Sequence, residues 1–169
     1  MPHELPAAGE LRVTAYRAGG FLSENSEYAQ FLRALGSNGD GQVLVAVTPA
    51  RPGSPDRAEQ VVGTVTLQLW PRAGQVVTGP GEGEIRALAV VPQAQGAGIG
   101  SALLDAVILR ARQHAVAHLL LCTEPEMRAA QHLYERAGFA RLPERDWSPT
   151  PDGILLVYGL RLSPSVQLS

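Results

Sequence analysis

The stretch with the clearest chemical potential is Gln95-Gly96-Ala97-Gly98-Ile99-Gly100-Ser101. An apolar segment, Glu84 to Val91, precedes it and is closed by Pro92, and an amphipathic segment from Ala102 to about His114 follows. Strand, glycine-rich turn and helix in that order leave first-turn amides without a partner inside the helix, at the positive end of its macrodipole. Amides gathered in this way bind anions. Gly98 and Gly100 have no Cβ, so a pyrophosphate can approach the backbone closely. The stretch reads as a diphosphate cradle. The bland alternative is a glycine turn that lets a helix pack close to a strand.

Two nucleotide readings compete with it. The dinucleotide fingerprint needs Gly-x-Gly-x-x-Gly with an acid about twenty residues on. Here the glycines fall at 96, 98 and 100, one residue short, and several strands come first, although Glu124 could stand in for the acid. The phosphate-loop pattern fails because no Gly-Lys-Ser/Thr follows. Metal chemistry has little support. His3, His114, His118 and His132 show no ligand spacing, and the single cysteine, Cys122, sits in an apolar run and reads as core.

Bulk properties narrow the class. A length of 169 residues suggests one domain, residues 1–169 with a core of about 10–163, and 45% hydrophobic residues suffice for a core. A charged fraction of 18% and a net charge of -2 give no electrostatic footprint for nucleic acid. No basic-then-apolar leader opens the chain, and no apolar run reaches the roughly 18 residues that span a bilayer. A soluble, cytoplasmic domain is expected, with neither nucleic acid nor membrane as partner.

The elements that must position the glycines follow from periodicity. Leu11 to Arg17 alternates and reads as a first strand. Ser23 to Leu35 has helical spacing, with Ser23 as N-cap and Gly36 past its end. Gln42–Val47 and Val61–Trp70 read as a hairpin around an exposed, mobile loop, Thr48 to Gln60. Glu84–Val91 reads as a central strand, because both of its faces are apolar from Ala87. Leu119–Cys122 is a buried strand. Glu126–Ala137 is a helix with Pro125 at its first position and Gly138 as its stop, with Phe139 available for the accompanying contact. Ala140–Arg145 and Ile154–Leu162 form a last strand pair, joined by a loop from Asp146 to Gly153. The order β-α-β-β-β-α-β-α-β-β predicts an α/β fold with a mixed, mostly antiparallel central sheet flanked by helices.

Three motifs then converge. Gln95-x-x-Gly98-x-Gly100 resembles the acyl-CoA pyrophosphate loop of the GNAT acetyltransferases. Glu84-Ile85-Arg86-Ala87-Leu88-Ala89-Val90 with Pro92 is similar to that family's fourth strand and its exit. Ala130-Gln131-His132-Leu133-Tyr134-Glu135-Arg136-Ala137-Gly138-Phe139 is similar to its "A-x-x-L-Y-x-x-x-G-F" helix. The resemblance covers about 84–139, the acyl-CoA-binding half. It departs at Met127, where the family often has an asparagine that helps hold the cofactor.

The resemblance implies acetyl transfer from acetyl-CoA, as co-substrate and without metal, to a primary amine by direct attack in a ternary complex. The alternative is a non-catalytic acyl-CoA sensor. Amides of Gly96, Ala97, Gly98, Ile99, Gly100 and Ser101 would hold the diphosphate, with the side-chain amide of Gln95. Leu88 and Val90 would act through backbone groups freed by a bulge, toward the thioester carbonyl and the pantetheine. Tyr134 would be the general acid for the departing thiolate, or else a core aromatic. Glu84 would be the general base, or else an ordinary strand end, since Glu82 is equally close to the turn. Arg86 would share the face of Glu84 if no bulge intervenes, lower its pKa and weaken it as a base. Asp146 and Trp147 are candidates for contact with the acceptor, a small-molecule or peptide amine; a homodimer is left open.

Overall fold

The computed structural model describes residues 4–23, 26–49, 59–74 and 76–163. The elements are α1 (Glu4–Ala18), α2 (Tyr28–Ala34), β1 (Gln42–Thr48), β2 (Gln60–Leu69), β3 (Glu82–Val90), α3 (Ile99–Gln113), β4 (His118–Thr123), α4 (Arg128–Arg136), β5 (Ala140–Arg141), β6 (Trp147–Thr150) and β7 (Gly153–Arg161). The sheet order is β1-β2-β3-β4-β7-β5, with β6 pairing β7. β3 is therefore interior, as its apolar faces predict. It runs parallel to β4, while β4, β5 and β6 each pair antiparallel with β7. The architecture is the expected mixed sheet flanked by helices. Two compact units divide it: Met1–Thr66 with Ala87–Leu103, and Leu67–Arg86 with Leu104–Ser169.

In the first unit, the expected opening strand is part of α1. The alternation at Leu11, Val13 and Ala15 is a short-window coincidence. Over the whole segment, buried Ala8, Leu11 and Arg12 and half-buried Ala15 and Tyr16 recur at helical spacing. Pro6 falls in the first turn, where a helix tolerates it. Arg12 hid the helical face from the sequence pattern, because a buried arginine reads as polar. Its guanidinium donates to the carbonyls of Leu32 (3.0 Å) and Leu35 (2.9 Å) at the end of α2, and to Thr66 Oγ1 (3.0 Å). Those carbonyls lack helical partners, so the cation answers both them and the dipole. Burial lowers the Arg12 pKa to about 10. Gly9 lets α1 approach α2, since a Cβ there would lie 2.7 Å from the Arg33 carbonyl oxygen.

α2 is shorter than predicted, and Ser23 does not cap it. Glu27 precedes the helix without a side-chain cap, and Ser26 Oγ accepts from the Tyr28 amide at 3.2 Å. Gly36 takes φ +86° just past the helix, as its position predicts. The β1–β2 hairpin is present: Thr64 Oγ1 donates to Leu44 O (3.0 Å) and Thr48 Oγ1 to Gln60 O (3.5 Å), partners running in opposite senses. Most of the expected mobile loop, 50–58, lies outside the described residues.

In the second unit, β4 buries Leu119, Leu120 and Leu121 almost completely. At roughly 25 cal/mol per Å2 of apolar surface, each such side chain contributes about 1.5–3 kcal/mol. α4 begins later than predicted, at Arg128, so Pro125 is in the preceding turn rather than at the first helical position. Its end matches the expectation. Gly138 has φ +95°, its amide bonds to Glu135 O (3.0 Å), and the Phe139 amide bonds to Tyr134 O (3.0 Å). The predicted strand Ala140–Arg145 keeps only two strand residues before a 3-10 turn, Pro143–Arg145. The predicted loop after it contains a strand, β6. Pro149 and the register irregularity between Trp147 and Thr150 disguise β6 as a loop in the sequence.

Candidate active site

The glycine-rich stretch lies where the sequence places it, between β3 and α3. Pro92–Ala94 forms a 3-10 turn, then Gly96 and Gly98 take φ +81° and +79°. An L-residue with a Cβ adopts those angles only at a cost. A Cβ at either glycine would meet nothing within 4 Å, so the backbone there is open in front. The Gly98 carbonyl accepts from the Ala102 amide at 3.0 Å, which opens the helix. The amides of Ile99, Gly100 and Ser101 thus belong to the first turn and have no acceptor within α3. Gln95 is arranged differently from the expectation. Its side-chain N–H donates to the Val90 carbonyl at 3.1 Å, tying the loop back to β3. Gly63 on β2 supports the same turn from below. A Cβ there would lie 2.8 Å from Leu103 Cδ1 and 3.0 Å from Ile99 Cγ2.

β3 carries one backbone irregularity. Its parallel ladder with β4 pairs Glu82–Ile85 with His118–Leu121. Two residues on, Ala87 has φ +52°, in the left-handed region. One such residue re-aims the backbone that follows it, here Leu88 to Val90. No glycine marks the spot, so the sequence could not show it.

The two rival carboxylates on β3 separate clearly. Glu82 accepts from Arg145 Nη1 (2.8 Å) and Nη2 (3.1 Å), from the Thr78 amide (2.8 Å) and from Thr78 Oγ1 (3.2 Å). The Arg145 bond comes first among the causes that hold its pKa down at about 2. His118 Nδ1 lies 3.6 Å from it, and burial lowers the His118 pKa. Glu82 is thus committed to a structural network. Glu84, fully buried, instead pairs with Arg86, whose Nε lies 3.6 Å from Glu84 Oε1. The shared face predicted for positions 84 and 86 is realised, because the left-handed residue comes after them.

Cys122, read from the sequence as a core residue, has surroundings that the sequence could not show. Half-buried on β4, it stands near four groups. Desolvation and then the Glu84 charge push its pKa up to about 11, while Arg86 and Trp147 pull it down. Tyr134 on α4 is buried, and its pKa is raised by desolvation and then by Cys122. The phenol ring lies 6.1 Å from the Phe139 ring and 6.2 Å from the Tyr158 ring. The Trp147 indole N–H is buried outside hydrogen-bond geometry, yet close enough to favour the thiolate slightly. The signal available in the sequence was parity: Cys122 follows three buried leucines on a strand. Asp146, by contrast, is engaged by Arg141 in a two-pronged pair (2.8 and 2.7 Å).

Met127, where the resemblance would place an asparagine, packs into the turn before α4. Its thioether accepts from Thr123 Oγ1 at 3.4 Å, and Gln131 Nε2 donates to the carbonyls of Glu124 and Pro125, both at 3.0 Å. These contacts hold the turn into α4, which has no side-chain N-cap. Among the described residues no cluster of three or more His, Cys, Asp or Glu could hold a metal, and no helix is long and apolar enough to cross a membrane.

Solved structures share this fold. A GNAT-family acetyltransferase of Staphylococcus aureus Mu50 superposes with a TM-score of 0.68 at 18% identity, over 95% of this chain and 94% of its own. A GNAT-family acetyltransferase of Brucella melitensis, solved in complex with acetyl-CoA, gives 0.62 at 18%, over 97% and 85%. The fold is therefore that of the acyl-CoA N-acyltransferases. The sequence profile of the Acetyltransferase (GNAT) family matches residues 19–139, and the chain belongs to that family. A mycothiol acetyltransferase of Cellulomonas flavigena is 36% identical over 101 residues, 58% of this chain and 29% of that protein. The chain thus spans less than a third of the length of that relative.

Proposed function

We propose that this chain is an N-acetyltransferase that moves the acetyl group of acetyl-CoA to a primary amine by direct attack in a ternary complex. The observation that carries the reading is the open, left-handed backbone at Gly96 and Gly98 before the first turn of α3, a cradle that a side chain would fill. The amides from Gly96 to Ser101 hold the acetyl-CoA diphosphate. Gln95 acts by tethering that loop to Val90. Beyond Ala87, backbone groups of Leu88 and Val90 serve the thioester carbonyl and the pantetheine, and an amide aimed at the developing oxyanion lowers the barrier.

In the reaction the amine nitrogen bonds to the thioester carbon, the C–S bond breaks and the sulfur leaves as thiolate. The ammonium proton goes to Glu84, directly or through water. Tyr134 faces the sulfur as proton donor. Burial makes its phenol hold the proton more tightly than the ordinary value near ~10, while a thiol holds its own near ~8.5. Tyr134 therefore stabilises the thiolate first by a hydrogen bond, and complete transfer lags behind C–S cleavage. The acceptor is a small-molecule or peptide amine, and the cytoplasm, with its acetyl-CoA, is the expected location.

Titration calorimetry with acetyl-CoA tests the donor, and thiol release with an amine panel tests transfer. No heat of binding at millimolar acetyl-CoA would overturn the reading.

A further inference from the structure

We propose that the acceptor amine carries an aromatic ring, and that the exposed stack of Tyr28 on Phe31, beside Tyr16, receives that ring. The inference rests on the acetyltransferase reading and goes beyond it to the substrate class. The chain is poor in aromatics, at 5%, yet these three fall together between the end of α1 and the middle of α2. Val13, Ala29 and Leu32 form a buried floor, and Tyr16 and Phe31 pack on it together with Ala87 of β3. Tyr28 stacks on Phe31, with ring centroids 5.3 Å apart and planes 17° apart, and its centroid lies 6.4 Å from that of Tyr16. With those contacts made, Tyr28 is still 41% exposed. A tyrosine left so far out of the core forgoes the stabilisation its ring would gain by burial, and rings gathered at one exposed place mark a binding surface rather than a scattered residue.

All of these residues lie in the first compact unit, together with Leu88 to Ser101. Within that unit the donor has a direction. The cradle at Gly96–Ser101 takes the diphosphate, Val90 and then Leu88 lie toward the thioester, and Ala87 comes next. Ala87, left-handed at φ +52°, shares its buried floor with Phe31. Tyr16 links the stack to the donor side as well. It packs on a second buried cluster, formed with Ala89 and Val91 of the same stretch, on which Ile99 of the cradle also packs. The stack thus stands past the thioester end, where the acceptor enters, and not along the diphosphate. Aromatic pairs favour offset-stacked or edge-to-face geometry, so a ring arriving on Tyr28 continues the stack that Phe31 begins. A saturated group of equal size covers the same surface and gains no ring pairing.

The test compares matched acceptors by thiol release at saturating acetyl-CoA: phenylpropylamine against cyclohexylpropylamine, and glycyl-phenylalaninamide against glycyl-cyclohexylalaninamide. Both members of each pair carry an ammonium well removed from the ring, so attraction of the cation to the stack does not separate them. The aromatic member should be favoured roughly 3- to 10-fold in kcat/KM, the worth of a ring pair beyond its area. Tyr28→Ala should remove that preference and raise KM for the aromatic acceptors about fivefold or more, with Tyr28→Phe restoring both, because the ring and not the hydroxyl makes the contact. Acetyl-CoA affinity by calorimetry should stay within about twofold in both variants, a readout that a general loss of structure would move. If Tyr28→Ala does not fold, Tyr28→Leu takes its place. Equal use of the aromatic and saturated acceptors by the wild type, or a preference that survives loss of the Tyr28 ring, overturns the inference and leaves acetyl transfer intact. No thiol release with any amine overturns the transferase reading itself.

Discussion

Replacing Glu82 by Gln removes the charge at the centre of a network that ties the turn before β3 to the turn before β6. Arg145 reaches that carboxylate with two nitrogens and donates on to Val76 O (2.6 Å), while Thr78 adds its amide and hydroxyl. Together these hold the Glu82 pKa at about 2, against 4.5 for the unperturbed group. At about 1.36 kcal/mol per tenfold change in proton affinity, the full depression corresponds to about 3 kcal/mol. Solvent still reaches the pair, so screening reduces the expected contribution to roughly 2 kcal/mol. The sign follows from linkage. A carboxylate whose folded pKa is depressed adds stability that is fully present above pH 4.5 and is lost as pH falls toward 2. Urea unfolding of wild type and Glu82→Gln between pH 7 and 3 reads this as a difference between two curves, with the neighbouring His118 present in both. The expected gap at pH 7 is roughly 2 kcal/mol, or about 4–8 °C in Tm for a chain of this size, and it closes progressively below pH 4.5. A gap that stays constant down to pH 3, or no gap at pH 7, would refute the reasoning, because the charge of Glu82 would then not be what the network stabilises.

Three further outcomes follow from the same geometry. Gly63→Ala pushes a methyl to within 3.0 Å of Ile99 and Leu103 at the start of α3; overpacking of this kind costs about 1–3 kcal/mol, and calorimetry should show weaker acetyl-CoA binding, while unchanged affinity would detach the cradle from its support. Ala115 ends α3 at φ +56°, with the Val116 amide on Ala111 O (3.0 Å), so Ala115→Gly should stabilise the protein by up to about 1 kcal/mol in thermal unfolding. Tyr134→Phe keeps the packing against Phe139 and Tyr158 and loses the donor, so kcat should fall on the order of 100-fold while acetyl-CoA affinity stays within about twofold; an unchanged kcat would assign Tyr134 to the core alone.

The span from β3 through α4 was legible in the sequence because its signals are local. A strand, paired glycines, a wide apolar stripe and a terminal glycine each declare themselves within a few residues, and the glycines at 96, 98 and 138 adopt the positive φ that their positions require. What stayed hidden depends on distant partners or on residues acting against type. Arg12 is buried because carbonyls 20 and 23 residues away need a donor, and that one polar residue turned a helical face into an apparent strand alternation. Ala87 holds a left-handed conformation without glycine, so the irregularity of β3 was not marked. Glu82 and Glu84 are indistinguishable by spacing. Only Arg145, 63 residues on, marks Glu82 as a structural carboxylate.

Cys122 bears on the proposed order of chemical events. A partly exposed cysteine beside a buried carboxylate invites a covalent route in which the thiol takes the acetyl group before the amine does. Its surroundings oppose that. Desolvation and the charge of Glu84 push the thiol to about 11, so at pH 7.5 only roughly one molecule in three thousand carries the thiolate that such a route needs. Burial acts in the same direction on Tyr134, keeping its phenol protonated and available as a donor. A thiol and a phenol that both stay protonated leave the covalent route without its nucleophile, in keeping with the proposed direct attack. Direct attack of the amine on the thioester, as proposed above, needs no thiolate at Cys122.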